Sequence, residues 1–158
     1  MPTAKESRCT MSQKTSIGYV DLRVFAHATE DLDKVLTALR NLLPTALTDI
    51  VQFEKNSLTG HHGNPITLFT TQLTDKELLP ALLEKIGKNL NVLDKEDLNN
   101  NIHTRIEKTH LYLRFDKQAA SMGKIKFTTD DPIRLKIHFK SKTPNEILST
   151  LKEFGLLL

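Results

Sequence analysis

Apolar residues recur along this chain with two periods, and the points where the period changes mark its elements. From His110 to Lys140 the period is two, with Leu111, Leu113 and Phe115 in a first run, Ile125 and Phe127 in a second, and Ile133, Leu135, Ile137 and Phe139 in the longest. Successive side chains of a strand point to opposite faces, so these apolar residues share the core side of one sheet. The other side then receives Tyr112, Arg114, Lys124, Lys126, Arg134, Lys136, His138 and Lys140, a set with no carboxylate until Asp116 at the edge.

Elsewhere the pattern predicts a strand over 17–27, with Val20, Leu22, Val24 and Ala26 inward and Tyr19, Asp21, Arg23, Phe25 and His27 outward. Arg23 would either extend the cationic face or be covered by its neutral neighbours. Thr29 is a suitable N-cap, Glu30 and Asp31 suit a first turn, and Leu32, Val35, Leu36, Leu39 and Leu43 keep helical spacing until Pro44 stops the helix. A short turn over 45–49 leads to a strand from Ile50 to about Lys55, then a turn-rich stretch from Leu58 to Ile66, then a strand from Ile66 to Leu73. Thr74 to Glu77 has the form of a capping box before Leu79, Leu82, Leu83 and Ile86, with Pro80 bending the first turns. Leu98, Ile102 and Ile106 predict one surface helix from about Asp94 to Lys108, and Asp116 to Gly123 suits a helical turn. Thr143 to Glu146, with Pro144, opens a last helix that Gly155 ends, and Leu156, Leu157 and Leu158 pack on the body. The fold class is α+β, a mostly antiparallel sheet covered by helices on one face, with residues 1–14 a flexible tail and 15–158 a single domain.

With 158 residues, 39% of them hydrophobic, the chain can form an adequate core. Its 22 Lys plus Arg against 19 Asp plus Glu leave a net charge of +3, so the global balance does not imply a polyanion partner, whereas the clustering on one sheet face does. Cations on adjacent strands repel at ~5 Å, and phosphates would relieve that repulsion; the competing reading is a solvated face that resists aggregation. The single cysteine excludes an internal disulfide and suits a reducing, cytoplasmic setting. No stretch resembles a signal peptide or approaches the ~20 apolar residues of a membrane span, so no membrane partner is expected. His61 and His62 sit between Gly60 and Gly63, where they could hydrogen-bond or stack or simply belong to a hairpin. Zinc needs three or four ligands and the other histidines are scattered, so neither a metal nor a cofactor is expected. Tryptophan is absent, so base stacking would fall to Tyr19, Phe25, Tyr112 or a histidine.

Four runs, Asp21 to Glu30, Thr59 to Pro65, Leu113 to Ala120 and Asp130 to Arg134, resemble the archaeal RNA-binding proteins also described as predicted exosome subunits. The resemblance spans about residues 15–142. It implies a fold similar to that of the large-subunit ribosomal protein that binds the five-S rRNA, with an open sheet face that contacts RNA. The partner would then be ribosomal or other structured RNA, together with proteins of an RNA-processing complex. With RNA as partner, Arg114, Lys117, Lys124, Lys126, Arg134, Lys136 and Lys140 are the candidate phosphate contacts, and His61, His62 and Asn64 the candidate loop contacts. Two other classes compete: a structural subunit that docks its basic face on an acidic protein, and a phosphoester hydrolase using His61 or His62 as acid or base. No Ser-His-Asp arrangement, phosphate-cradling glycine loop with lysine, or paired-carboxylate motif stands out, which favours a protein without catalytic activity.

Overall fold

A computed structural model describes residues 17–44, 51–60, 62–140 and 143–157. Its centre is a six-stranded sheet in the order β2-β3-β1-β6-β5-β4, with every neighbouring pair antiparallel. The strands are β1 (Ile17–His27), β2 (Glu54–Thr59), β3 (Pro65–Leu73), β4 (Ile106–Glu107), β5 (His110–Phe115) and β6 (Ile133–Phe139). The helices are α1 (Leu32–Leu42), α2 (Leu78–Asn89), α3 (Val92–Asn100), α4 (Ile102–Arg105), α5 (Lys117–Ser121) and α6 (Pro144–Glu153). One core holds the inward residues of β1, β5 and β6 together with Val35, Ala38, Leu39 and Leu42 of α1, Leu79, Leu82, Leu83 and Ile86 of α2, and Ile147 and Leu151 of α6. The fold is α+β with helices on one face of the sheet, as the alternation requires.

Most elements form where local chemistry favours them. Thr143 accepts from the Glu146 N–H and Pro144 sits in the first turn of α6, so that helix starts as its sequence predicts. Leu43 is the C-cap of α1, just before Pro44, and Leu156 and Leu157 are buried. The predicted turn over 45–49, the tail over 1–14 and Leu158 lie outside the described residues.

Five boundaries differ from the expectation, each for a physical reason. The N-cap of α1 is Asp31, which accepts from the Asp33 N–H at 2.9 Å; Glu30, expected in the first turn, instead folds back to accept from the His27 N–H at 3.0 Å. Thr74 does not cap α2, because the Asp75 carboxylate takes the Glu77 N–H at 2.9 Å and the helix starts at Leu78. Pro80 thereby falls in the first turn, where its missing N–H is harmless. Val51 and Phe53 pack on the core before their strand begins, and the backbone joins the ladder only at Glu54, opposite Thr70. The single helix expected over 94–108 is two short helices and a strand. The Asn101 side-chain amide donates to the Asp97 carbonyl at 3.0 Å, the local bonding that makes asparagine a poor helix interior, and Ile106 and Glu107 then pair with β5. Finally, Lys124 to Phe127 is not a strand of the sheet: Ile125 and Phe127 make isolated bridges to Leu90 and Phe115 only.

A close backbone approach fastens α2 to the C-terminus. A Cβ on Gly87 would collide with the Phe154 carbonyl oxygen and come within 3.0 Å of the Gly155 carbonyl carbon. In an exposed helix, Gly to Ala would stabilise by about 1 kcal/mol. Here the obstruction is backbone, and Gly87→Ala is expected to destabilise by about 1–3 kcal/mol, as overpacking does. Urea unfolding measures the change; a stabilised variant would show that the two segments separate freely.

Candidate nucleic-acid interface

The pairing register arranges the uncovered face of the sheet in rows that cross the strands. Arg23 of β1 lies opposite Arg134 of β6, and Arg134 lies opposite Arg114 of β5, so three guanidinium groups stand side by side on three adjacent strands. All three are exposed, and among the described residues none of them forms an ion pair. Paired side chains are ~5 Å apart at Cβ, so the repulsion is ~1 kcal/mol per neighbouring pair in water. The next row holds Asp21, Lys136 and Tyr112. Asp21, outward as its place in the alternation predicts, sits opposite Lys136 and brings one carboxylate into the cationic patch.

The third row is aromatic. Tyr19 of β1 stacks on His138 of β6 with ring centroids 4.8 Å apart and planes 20° from parallel, and His138 meets His110 of β5 at 4.8 Å. The His138 Nδ1 lies 3.2 Å from the His110 Nε2, which in turn lies 3.4 Å from the Tyr19 hydroxyl. Gly18, at a register shift in β1, makes room: a Cβ there would stand 2.5 Å from the His138 ring. Burial first, and then the charges of His110, Lys136 and Lys140, hold the His138 pKa below the usual histidine value. At the end of β6, Lys76 lowers the pKa of Lys140 by hydrogen bond and by charge, which places two amines beside each other at the rim.

At the opposite end of the face lies an ionic cluster. The Lys117 ammonium donates to the Phe25 carbonyl at 2.7 Å and to both oxygens of Glu30 at 2.9 and 3.1 Å, and it pairs with Asp131 at 2.7 Å. His27 lies 3.1 Å from the same Asp131 carboxylate. Asp131 has a φ of 44°, a left-handed conformation that aspartate tolerates better than most residues, and its contacts hold it there. Partial burial pushes its carboxyl pKa up, but the hydrogen bonds and charges of Lys117 and His27 together outweigh that and leave it below the usual value. The donor atoms of His27, Glu30 and Asp131 lie within 4.8 Å of one another, a spacing a metal ion could bridge. The ammonium of Lys117 already stands among them, so an incoming cation would meet like charge. Beside the cluster, a cleft of about 490 Å³ is lined by Glu30, Asp31, Asp116, Asp130 and Asp131 along with Lys34 and Lys117.

The residues proposed from sequence therefore separate. Arg114, Arg134 and Lys136 share the open face, Arg23, left undecided by alternation alone, joins them, and Lys140 is exposed just past the end of β6. Lys117 points into the ionic cluster instead, with a side chain only 12% exposed and its ammonium paired with Glu30 and Asp131. The reason escapes a sequence reading, because its partners Glu30 and Asp131 lie far away along the chain. Lys124 and Lys126 are exposed on a segment at the edge of the sheet, where Phe127 bridges Phe115 of β5 and the Lys126 carbonyl accepts from the Asp116 N–H, and not in a strand of their own. Asn64 is exposed in the β2–β3 hairpin, closed by the Gly60 N–H donating to the Asn64 carbonyl at 2.8 Å, with Gly63 at a φ of 77°. That hairpin joins the two strands farthest from β5 on the β2 side, and His62 is exposed within it; His61 lies outside the described residues.

A sheet with one helix-covered face and one open, cationic and aromatic face has the layout of a nucleic-acid-binding domain. Comparison with known proteins agrees: residues 19–139 match the model of a protein family described as RNA binding, and the chain belongs to that family. It is 32% identical over 134 residues to an RNA-binding protein of Pyrococcus abyssi, covering 83% of this chain and 87% of that one. It is likewise 32% identical over 142 residues to an uncharacterised protein of Methanocaldococcus jannaschii, covering 85% of this chain and 92% of that one. A crystal structure from Archaeoglobus fulgidus superposes with a TM-score of 0.74 at 25% identity, over 87% of this chain and 99% of its own. No helix among the described residues is long and apolar enough to cross a membrane.

Two outcomes follow for stability. Removing Lys117 would leave Glu30 and Asp131 facing each other beside an unpaired Phe25 carbonyl, so Lys117→Ala is expected to lower stability by about 1–3 kcal/mol in urea unfolding, against ~0.5 or less for Lys124→Ala. For His138 the folded pKa is depressed, so the unfolded chain takes up the proton more readily. The folded state therefore loses stability as pH falls below ~6.5 and regains it above. His138→Gln should flatten the dependence of Tm on pH between ~5 and ~7, and an unchanged profile would show that His138 does not contribute to it.

Proposed function

We propose that this protein binds structured RNA through the open face of its sheet, as a binding module without catalysis. The observation that carries the reading is the Arg23, Arg134, Arg114 row: three adjacent guanidinium groups, exposed and without ion pairs among the described residues. Arginine presents a planar fork of donors that matches phosphate oxygens, and a polyanion would convert the mutual repulsion of the row into attraction. Contacts of this kind go to the backbone, so shape and strand geometry outweigh base identity in what the row selects. Lys136 and Lys140 widen the cationic strip on the rim side of the row, whereas the acidic cleft beside Lys117 repels phosphate and borders it on the other side. The family described as RNA binding, and the relative named for RNA binding, support this partner class. Service within a larger RNA-processing assembly is compatible with it, since the helical side of the sheet leaves the open face unobstructed.

The hydrolase reading has weaker support. Its candidate base, His62, sits in the β2–β3 hairpin, while the mixed cluster of His27, Glu30 and Asp131 holds an ammonium in its middle. Binding is tested with the triple variant Arg23→Ala, Arg114→Ala, Arg134→Ala. In fluorescence polarisation with a labelled RNA, affinity should fall and the slope of log K against log salt should drop by ~2, because each lost phosphate contact removes ~0.7. Binding and slope equal to those of the unaltered protein would place the RNA elsewhere.

A further inference from the structure

The arginine row accounts for phosphates and leaves a large exposed ring unexplained. Tyr112 is 37% exposed in the middle of the cationic face, and its hydroxyl makes no hydrogen bond to a described residue. The other tyrosine is used differently, since Tyr19 lies against His138 and contacts His110. Tyr112 stands directly opposite Lys136, whose ammonium is 6.0 Å from the ring centroid, and on its own strand the next outward residue is Arg114, ~7 Å away. Arg114 is in turn opposite Arg134. A nucleotide has the same layout: a phosphate, and a planar base displaced from it to one side.

We propose that Tyr112 is a stacking site for one unpaired base of the bound RNA, with the phosphate of that nucleotide resting on Arg114 and Arg134. This deepens the RNA-binding reading and rests on it. Bases inside an A-form helix have both faces covered by their neighbours, so a base can lie on Tyr112 only from a loop, a bulge or a single strand. The ligand class is therefore structured RNA that offers an unpaired nucleotide. The ring is held for that role: the Lys136 ammonium approaches it from β6, and the His110 ring, with centroids 6.4 Å apart and a tilt of 39°, walls one side. Stacking needs a π-face and no particular base, so it adds affinity for unpaired RNA without requiring one sequence.

The test compares Tyr112→Ala and Tyr112→Phe with the unaltered protein, using a single-stranded RNA and a fully paired duplex of equal phosphate number. Tyr112→Ala should weaken single-strand binding by about 5- to 150-fold, as loss of one stacked base does, with the salt slope unchanged and the duplex affinity unaltered. Tyr112→Phe keeps the π-face and should bind the single strand like the unaltered protein. Tyr112→Leu keeps apolar bulk in case alanine disturbs the strand, and it should fail as alanine does. If Tyr112→Ala leaves single-strand binding intact while the triple arginine variant loses it, the stacking site is overturned and the arginine row stands. An equal loss on single strand and duplex also overturns it. If the unaltered protein binds neither RNA, the RNA-binding reading falls together with the stacking site.

Discussion

The antiparallel pairing of β6 between β1 and β5 is the constraint on which the rest of the structure depends, because one register fixes both faces at once. Ile133, Leu135, Ile137 and Phe139 enter the core only if Arg134, Lys136 and His138 face outward. A slip of one residue would expose four apolar side chains, worth ~1.5–3 kcal/mol each, or ~6–12 kcal/mol together. That is comparable to the whole stability of a small domain. The opposing effect, repulsion among Arg23, Arg134 and Arg114, is ~1 kcal/mol per neighbouring pair in water. Packing therefore wins by a wide margin, and it can hold three like charges in a row that no other described interaction requires.

The distribution of ion pairs sharpens the contrast between the two ends of the face. At the His27 end, Lys117 is enclosed by a carbonyl and two carboxylates, which close the corner between β1, α5 and the segment leading into β6. At the Tyr19 end, rings pack on rings and the amines of Lys76 and Lys140 lie beside each other. Between them the arginines are left to solvent. A polyanion laid across β1, β6 and β5 at right angles to the strands would meet charge complementary to its own along the row and opposing charge in the cleft, which gives the face a direction as well as a sign.

Much of this was legible in the sequence, and the exceptions have a common cause. Strict alternation over six or more residues identified β1, β5 and β6 and assigned their faces, since burial and period agree along β5, β6 and β1 from Tyr19 onward; only the register shift at Gly18, which buries Ile17, breaks the pattern. Lys124 to Phe127 alternates as well, yet four residues cannot reveal whether a partner strand is available, and that edge of β5 is already shared with β4. The run from Asp94 to Lys108 has helical spacing of Leu98, Ile102 and Ile106, but it could not show that Asn101 would turn back on Asp97 or that Ile106 would join the sheet. Lys117 carries the same charge as Arg114 in any sequence count; only the folded chain brings Glu30 and Asp131 to it. The row of three arginines was likewise hidden, because alternation gives the face of each residue and says nothing of which residues stand opposite one another.

Binding of RNA on the open sheet face is tested most directly by photocrosslinking the protein to a uridine-rich RNA, followed by mass spectrometry of the crosslinked peptides. Adducts are expected to concentrate on outward residues of β1, β5 and β6, with Tyr112 and its neighbours foremost, and to be few on α1, α2 or α6. Adducts on the exposed surfaces of those helices, with the sheet peptides unmodified, would contradict it.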